Sequence, residues 1–414
     1  MKSQLLSLLT LTCAIVTVPI VRADDLSITV THTSQFGQAP VPIALSGFTG
    51  TGLEVLKFDL YVQGFSFVTP DKAAYLVQGS DAGDLSGTVA IAGSRQVVVQ
   101  GGMNGAAANA GSKHVILSRS YNGASIRREA HAFADEVVQA ITGKPGIAET
   151  RGGVAKIAFK AQYPGGGGEI YVADFDGSDP VALTSDRAIV ARPAWQTGRL
   201  AVYYTSYARG NPDIFYHNLS TGQRRVAVGY HCLNTSAASS PDGSRLALVT
   251  GKSGSPNVWT GGAEGSGLKQ LTTGLEDSSP CWSPDGQWIC FATKHAERRR
   301  LAKIPAGGGP VEYLNTAGTP SPTEPDWSPD GKWIAYTCQF GGTFDICVIA
   351  VDGSIPPQIL VAGQNPSWAP NSRTLVFNRG PEGRQTLSVL DVFTKQYKDC
   401  HRVAGSCSQP AWAK

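Results

Sequence analysis

Apolar and polar positions in the second half of the chain follow a repeating pattern of short strands and tight turns. Copies read CWSPDGQWICFAT at 281–293, DWSPDGKWIAYT at 326–337 and SSPDGSRLALVT at 239–250, with weaker copies at 367–378 and 194–205. In the first three, a short strand leads into a Ser-Pro-Asp-Gly turn, in which Pro fixes φ, Asp bonds its own backbone and Gly takes positive φ; the copy at 194–205 keeps the Trp but lacks the Pro-Asp. Two further strands joined by a Gly turn complete the unit. Four strands in one repeat predict a β-propeller blade.

The spacing of the repeats predicts six blades. The turn prolines Pro241, Pro284, Pro329 and Pro370 lie 43, 45 and 41 residues apart, and residues 151–414 hold six units of about 44. The first unit lacks a Trp strand in front of it, and the last Trp strand, at 409–413, has no blade behind it. We expect this C-terminal strand to join the first blade, which closes the ring and leaves no open edge.

Tryptophan and cysteine recur at positions that the blade pattern explains. Trp195, Trp282, Trp327, Trp368 and Trp412 occupy one position of the repeat, where a large ring fills the wedge between neighbouring sheets better than it serves a ligand. Three cysteine pairs have short separations, and we expect them to form disulfides: Cys281 with Cys290 and Cys338 with Cys347 beside successive hairpins, and Cys400 with Cys407 before the last strand. Cys232 is left over.

The first part of the chain lacks the repeat and reads as an α/β domain over 24–143. Alternating apolar residues predict strands at 26–30, 41–45, 73–77, 88–92, 97–100 and 114–118. Helices are predicted over 52–62 and, after a Ser125 cap, up to Gly143 and Pro145. Residues 144–153 are then a linker, and 154–414 the six-bladed propeller.

Residues 1–23 have the features of an export signal. Lys2 precedes an apolar stretch, and small or branched residues stand before Ala23, so cleavage is expected after Ala23 and the mature protein in the periplasm. An uncleaved signal anchor is the alternative. No second apolar run is long enough to span a bilayer, so no direct membrane insertion of the mature chain is expected. An oxidising compartment also suits the cysteine pairs.

Composition narrows the class of partner. Charged residues make up only 16% of the chain and the formal net charge is +3. Two of those charges, Lys2 and Arg22, lie in the signal, which leaves 33 basic against 32 acidic residues. This balance speaks against nucleic acid as a partner. We expect a monomer.

The sequence offers no catalytic signature. The motifs G-x-S-x-G, H-E-x-x-H and G-x-x-x-x-G-K-[ST] do not occur, and the seven histidines are scattered. No catalytic residue, metal or cofactor is therefore expected, and a non-enzymatic propeller that offers a broad face to a protein is favoured. A secreted propeller hydrolase or a carbohydrate-binding protein with a ligand in the central channel is the alternative.

Several segments together resemble the TolB family of periplasmic propeller proteins in the Tol–Pal system. They are AHAFADEVVQAITGKPGI at 130–147, EIYVADFDGSDPVALT at 169–184, the repeated SPDG and the terminal PAW. The third blade departs from the pattern, since Ser239 stands in place of Trp. The resemblance implies a scaffold that binds the peptidoglycan-associated lipoprotein Pal through one propeller face and the inner-membrane-linked protein TolA through its mature N-terminus. Such scaffolds maintain outer-membrane integrity and support constriction at division.

The resemblance also implies site residues. The TolA-binding segment is Asp24, Asp25, Leu26, Ser27, Ile28, Thr29, Val30, Thr31, His32 and Thr33, which could add as a strand to a partner sheet. The Pal-binding face is expected in loops that lead into the Trp strands, at His231, Asn234, Glu276, Asp277, Ser278, Ser279, Thr323 and Glu324.

Overall fold

The computed structural model describes residues 35–92, 114–122, 125–150, 153–163, 165, 167–274, 276–401 and 405–414. The expected signal segment at 1–23, the segment 24–33 with its predicted strand, and the predicted strand at 97–100 lie outside these residues.

The N-terminal region is an α/β unit with two helices and a five-stranded sheet among the described residues. Its elements are β1 (Val41–Ser46), α1 (Gly50–Tyr61), β2 (Phe65–Phe67), β3 (Tyr75–Ser80), β4 (Ser86–Ile91), β5 (Val115–Ser120) and α2 (Ile126–Thr142). The sheet order is β2-β1-β3-β4-β5, with β1 parallel to β2 and β3 and the other pairs antiparallel. Strand β2 was not predicted, because three residues are too few to show an alternating pattern.

Local sequence signals account for the long helix α2. The Ser125 side chain accepts a hydrogen bond from the Arg128 backbone N–H, and Gly143 ends the helix with a φ of 71° that favours glycine. Between these caps, Ala130, Phe133 and Val137 are buried at helical spacing. They pack with α1 and the sheet in one apolar core. The helix predicted from Ser125 to Gly143 is confirmed, and α1 begins two residues before its predicted start.

The rest of the described chain forms a short hairpin and six four-stranded blades. The hairpin is β6 (Glu149–Thr150) with β7 (Gly153–Val154). Blade 1 contains β8 (Lys156–Gln162), β9 (Gly168–Asp174) and β10 (Val181–Ala182), and its fourth strand is the C-terminal strand described below. Blade 2 contains β11 (Val190–Trp195), β12 (Ala201–Ser206), β13 (Asp213–Asn218) and β14 (Arg224–Val228). Blade 3 contains β15 (Asn234–Ser239), β16 (Arg245–Thr250), β17 (Asn257–Gly262) and β18 (Lys269–Gln270). Blade 4 contains β19 (Ser278–Trp282), β20 (Trp288–His295), β21 (Arg298–Pro305) and β22 (Glu312–Tyr313). Blade 5 contains β23 (Thr323–Trp327), β24 (Trp333–Phe340), β25 (Thr343–Ala350) and β26 (Gln358–Ala362), and blade 6 contains β27 (Gln364–Trp368), β28 (Thr374–Arg379), β29 (Thr386–Asp391) and β30 (Tyr397–Asp399).

The C-terminal strand β31 (Ser406–Trp412) closes the ring. It pairs antiparallel with β8 of blade 1, with Ala411 opposite Ala158 and Trp412 opposite Ile157. The predicted closure is confirmed. The five repeated tryptophans are buried, from fully buried Trp368 to Trp195 and Trp282 at 7% exposure, which agrees with their predicted role in packing.

The alternation of strands gives the propeller two unlike faces. Turns between first and second strands and between third and fourth strands form what we call the lower face; it includes the Ser-Pro-Asp-Gly turns at 240–243, 283–286 and 328–331. Loops between second and third strands, and loops that lead into each first strand, form the upper face. All predicted Pal-face residues stand on upper-face loops or at the adjoining strand ends.

The N-terminal region packs against the lower face at blades 1 and 6. Arg127 of α2 forms an ion pair with Asp176 in a blade 1 turn, and the Gln396 side-chain amide donates to the Phe65 carbonyl. Ile147 and Ala148, in the segment predicted as a linker, are buried in an apolar cluster that also contains Phe58. The described N-terminal residues therefore leave the upper face uncovered.

Candidate functional site on the upper face

One β-bulge interrupts the first strand of every blade at the same place. In blade 4, two residues lie between Ser278 and Cys281, while only one lies between their partners Ala292 and Cys290 on β20. The other five blades show the same shift. At each bulge a non-glycine residue takes a left-handed φ of 52–56°. These six residues, called the bulge ring below, are Arg192, Ser236, Ser279, Glu324, Asn365 and Gln409.

The bulge ring encircles the upper end of the central channel. All six members line a cavity of about 160 Å³, together with the residues that follow them on the first strands. A left-handed non-glycine residue costs about 1 kcal/mol or more, and such strain tends to collect at functional sites. In this protein the left-handed backbone at each bulge turns a side chain toward the axis of the propeller, at a position where a regular strand would continue without a bend.

An ion pair and hydrogen bonds connect the bulge ring across the channel. The Arg192 guanidinium donates to Glu324 Oε1 at 2.9 Å, although the two residues belong to blades 2 and 5. The other oxygen, Oε2, accepts from Thr337 Oγ1 at 2.9 Å and from the Asn365 N–H at 3.2 Å. Gln409 Oε1 accepts from the Arg192 N–H at 2.9 Å. Both carboxylate oxygens of Glu324 are therefore engaged within the protein.

Two buried amides near the ring have donor capacity left over. Asn365 Nδ2 and Asn378 Nδ2 have no hydrogen-bond partner within the described structure. The side-chain oxygen Oδ1 of Asn378 accepts from the Gln409 backbone N–H. This bond fixes the orientation of the Asn378 side-chain amide. A buried donor without a partner costs free energy, and both atoms are covered by the surrounding protein.

Two predicted face residues are buried and serve the loops instead. The Asn234 amide donates to the carbonyl oxygens of Tyr230, Cys232 and Pro212. Asp277 accepts from the hydroxyl groups of Thr272 and Thr293. Both are at most 2% exposed, so they shape the loops and do not reach a partner.

The other predicted face residues are accessible. His231 and Glu276 are exposed, and Ser278, Ser279, Thr323 and Glu324 are half-buried at the channel mouth or beside it. Ser279 and Glu324 belong to the bulge ring. The structure therefore brings part of the predicted set together around the channel, with His231 and Glu276 farther out on the loops.

Four ring members were not predicted, namely Arg192, Ser236, Asn365 and Gln409. A sequence signal for them exists. Each ring residue stands three positions before the repeated Trp position, and all but Ser236 are followed by Pro, as in Asn365-Pro366-Ser367-Trp368. This x-Pro-x-Trp pattern marks the bulge, while the side chain at x varies from blade to blade.

The cysteines predicted to form disulfides lie near one another as thiols. Cys281 and Cys290 are cross-strand partners in blade 4, and the sulfur atoms of Cys338 and Cys347 are 2.9 Å apart. Cys400 and Cys407 are buried in the same apolar cluster. A disulfide bond is about 2.05 Å long, so these bridges stay a prediction.

Comparison with known proteins identifies the family. The model of the TolB β-propeller domain matches residues 138–414, which is more than half of the chain. The chain belongs to the TolB β-propeller family. Within the described residues, no cluster of three or more His, Cys, Asp or Glu side chains is arranged to hold a metal ion. No helix in the same residues is both long and apolar enough to cross a membrane.

Individual TolB proteins resemble the chain to different extents. The Tol-Pal system protein TolB of Anaeromyxobacter dehalogenans strain 2CP-1 is 34% identical over 157 residues, which are 38% of this chain and 35% of that protein. The Tol-Pal system protein TolB of Anaeromyxobacter sp. strain K gives the same identity and coverage. The match thus spans about a third of the length of these relatives.

A solved TolB structure extends the comparison to the whole fold. The crystal structure of TolB from Acinetobacter baumannii aligns with a TM-score of 0.76 over 91% of this chain and 97% of that one, at 22% identity. At this identity the likeness establishes the fold alone. The expected mixed architecture, an N-terminal α/β region followed by a six-bladed propeller, is confirmed.

Proposed function

We propose that this TolB-family protein is a periplasmic, non-enzymatic scaffold of the Tol–Pal system. Family membership is the observation that carries the proposal, because relatives with detectable identity are themselves named Tol-Pal system proteins. In this role the chain helps to maintain the outer membrane and supports its constriction at division.

The upper face is the proposed site for a Pal-like lipoprotein. Two features favour it: the described N-terminal residues leave it open, and the bulge ring places Ser279 and Glu324 at its centre. A partner that inserts a short loop at the channel mouth would meet these groups, while His231 and Glu276 would contact it farther out.

The mature N-terminal segment, residues 24–33, is the proposed site for a TolA-like inner-membrane protein. Its alternating Leu26, Ile28 and Val30 suit addition as a strand to the edge of a partner sheet. This part of the proposal rests on the sequence pattern, since the segment lies outside the described residues.

A channel ligand is the second candidate. The cavities at the upper and lower ends of the channel have volumes of about 160 and 260 Å³, below the range of about 300–1,000 Å³ that is usual for small-molecule pockets. A neighbouring cavity of about 720 Å³, lined in part by Glu324, Asn365 and Gln409 of the bulge ring, lies within that range and is the observation that favours this candidate.

Affinity capture from a cell-envelope extract tests the proposal. Immobilised mature protein should retain a peptidoglycan-binding lipoprotein and a TolA-like protein, both identified by mass spectrometry. The double variant Glu276→Lys/Glu324→Lys should retain at least tenfold less lipoprotein, because it reverses two charges on the upper face. Deletion of 24–33 should abolish retention of the TolA-like protein alone.

A matched control separates a local effect from a change in net charge. Glu264→Lys/Glu312→Lys makes the same charge change at exposed positions toward the lower face, and it should capture the lipoprotein like the wild type. Thermal melts establish that each variant is folded, and Glu276→Lys alone tests the face without disturbing the Arg192–Glu324 pair. If the wild type retains no envelope protein and binds only small molecules, the scaffold proposal is wrong.

A further inference from the structure

The sheet of the N-terminal region has a notch beside strand β1. Strand β2 contains only three residues and pairs with 41–43, so it ends before β1 does. The last three residues of β1, 44–46, pair with β3 on one side and have no strand on the other side among the described residues. The second half of β1 is therefore a strand edge, although β1 lies inside the sheet.

The alternation of β1 directs one set of backbone groups into this notch. The Val41 N–H donates to the Gly64 carbonyl. The Ile43 carbonyl accepts from the Val68 N–H, so every second residue of β1 turns its backbone groups toward β2. Leu45 is the next of these residues, and its N–H and C=O have no hydrogen-bond partner among the described residues. An unpaired strand edge is a template for pairing with another chain.

A crevice occupies the notch, and we call it the β1–β2 crevice. The end of β1, the first half of α1 and the turn that follows β2 bound it, and its volume is about 660 Å³. This volume is within the range of about 300–1,000 Å³ that is usual for ligand pockets. Ligands of open α/β sheets commonly bind at the carboxyl ends of parallel strands, where this crevice lies. All residues that line it belong to the N-terminal region, so the propeller leaves it open.

The inner wall of the crevice is apolar. Leu45, Leu53 and Phe67 line it, and their side chains are half-buried against the core of the N-terminal region. Leu45 and Phe67 follow the buried Ile43 and Phe65 by two positions, so they lie on the face of the sheet that α1 covers. An apolar side chain that entered the crevice would extend this core.

The rim of the crevice is positively charged. Lys57 follows Leu53 by one helical turn, so both side chains lie on the same side of α1. Lys72 stands in the turn after β2, and both lysines are exposed. No acidic side chain lines the crevice, and neither lysine forms an ion pair within the described residues. The rim is therefore suited to a carboxylate.

We propose that the β1–β2 crevice binds the C-terminal end of a partner protein whose last residue is apolar. The last side chain packs against Leu53 and Phe67, and the terminal carboxylate lies between Lys57 and Lys72. The backbone of the last residues pairs with the free edge of β1 at Leu45. Strand addition and capture of a C-terminal carboxylate are both recurring modes of peptide recognition.

A C-terminal end accounts for all three features of the crevice. An acyl chain with a carboxylate would use the apolar wall and the lysines but would leave the strand edge unpaired. An internal peptide segment would pair with the edge but would bring no terminal carboxylate to the rim. The crevice lies outside the upper face, so this inference goes beyond the proposed function and does not depend on it.

A fluorescent ten-residue peptide of Gly and Ser that ends in Leu with a free carboxylate is the probe. The same peptide with a C-terminal amide and a version that ends in Ser are the comparisons. Fluorescence anisotropy with full-length mature protein should show that the probe binds at least tenfold more tightly than either comparison. Each comparison lacks one recognised group, the carboxylate or the apolar side chain.

Two variants separate the rim from the inner wall. Lys57→Glu/Lys72→Glu should weaken binding of the probe at least tenfold, because two attractive charges become repulsive. Leu53→Ser should also weaken it and should remove most of its advantage over the peptide that ends in Ser. The preference of Leu53→Ser for the free carboxylate over the amide should remain. Thermal melts establish that each variant is folded.

The control Lys144→Glu/Lys332→Glu makes the same charge change at exposed positions outside the crevice, and it should bind the probe within twofold of the wild type. Equal binding of the free acid and the amide by the wild type would overturn the proposal. Unchanged binding in Lys57→Glu/Lys72→Glu, or an equal loss in the control, would overturn it too. Octanoate that displaced the probe and bound more tightly would show that the crevice holds an acyl chain instead.

The crevice proposal and the proposed function fail in different ways. If the wild type captures the envelope proteins but does not bind the probe, the scaffold role stands and the crevice proposal is wrong. If the probe binds in the crevice but no envelope protein is captured, the crevice proposal stands and the scaffold role is wrong.

Discussion

A buried pair of titratable residues joins the N-terminal region to the propeller. His131 of α2 and Asp59 of α1 are both fully buried, with 2.7 Å between Nδ1 and Oδ2. The His131 ring lies 5.5 Å from the ring of Phe175 in blade 1, and Arg127 and Asp176 are the nearby charges. The pair therefore stands where two helices and a blade turn meet.

The directions of the pKa shifts give this contact a pH dependence. Burial lowers the pKa of His131, but the Asp59 carboxylate raises it more, so the net pKa lies above the ordinary 6.5. Burial also raises the pKa of Asp59. Both shifts mean that the folded protein holds protons more tightly than the unfolded chain. The contribution of His131 is thus fully present below pH 6.5 and is lost as the pH rises through its folded pKa, whereas the contribution of Asp59 begins to decline above its ordinary pKa of 3.8.

We expect His131→Ala to lower the free energy of unfolding by about 3 kcal/mol, because it leaves Asp59 buried without its partner. Urea unfolding at pH 6 measures the loss. The decline of wild-type stability above pH 6.5 should be smaller in Asp59→Asn/His131→Gln, which removes both titrating groups. The exposed His295 gives the control, and His295→Ala should cost less than about 1 kcal/mol. Equal losses at His131 and His295 would contradict the interpretation.

The repeat marks part of the site, although Ser279 and Glu324 were predicted from the family resemblance. Glu324 and Ser279 occupy the position before a Pro in the repeat, and the structure places both in the bulge ring. Asn234 and Asp277 have the same polar character in sequence, yet they face inward because Thr250, Thr272 and Thr293 on neighbouring elements bond to them. Such partnerships depend on strand register, which one sequence does not reveal.

At the scale of elements, equal spacing did not mean equal geometry for the cysteines. Both hairpin pairs are nine residues apart, but Cys281 stands opposite Cys290, whereas Cys338 stands opposite Asp345 and Cys347 opposite Tyr336. The Gly341-Gly342 turn sets this offset. The sulfur atoms of Cys338 and Cys347 nevertheless approach to 2.9 Å, and the Cys347 thiol lowers the pKa of Cys338 by donating to it. Thiolate character at Cys338 favours oxidation.

We expect exported protein, denatured without reductant, to show one reactive thiol, from Cys232. Three bridges would then account for the other six cysteines, and reduction should lower the melting temperature, since closing even a short loop stabilises by about 2 kcal/mol. Mass spectrometry of peptides from unreduced protein assigns the pairs. Cys232→Ser is the control and should leave no reactive thiol and an unchanged melting temperature. Seven reactive thiols would refute all three bridges.

Elements with a strong local signal were predicted well. The caps of α2 and the Ser-Pro-Asp-Gly turns are examples, with φ of 70°, 68° and 77° at Gly243, Gly286 and Gly331. The longer strand pairing in the blade 4 and 5 hairpins was not predicted, because it depends on hydrogen bonding across a turn. Thus the repeat predicted the scaffold of the upper face, while the extent of pairing in its hairpins required the structure.

At the scale of the whole molecule, ring closure rests on one short segment. Strand β31 supplies the innermost strand of blade 1, and its Trp412 is 2% exposed in a cluster that also contains Phe58 and Phe175. The Trp195 indole N–H donates to the Ala411 carbonyl, which ties blade 2 to the same strand. Without this segment, blade 1 would expose the edge of β8 and lose its contact with blade 6.

Deletion of 409–414 should therefore destabilise the entire propeller. Replacing a buried Trp by Ala alone costs about 3–5 kcal/mol, and the deletion also removes the strand pairing of Ala411 and Trp412 with blade 1. We expect a loss of at least about 4 kcal/mol, seen as a large fall in melting temperature or as insoluble protein. Lys414→Ala is the control: it removes only the partly exposed ion pair with Asp326, which is worth at most about 1 kcal/mol. The loss of unfolding free energy in Trp412→Ala should lie between the losses in these two variants. This variant therefore still tests the closure if the deletion variant does not fold. A truncated protein that melts with the wild type would show that the ring closes by other contacts.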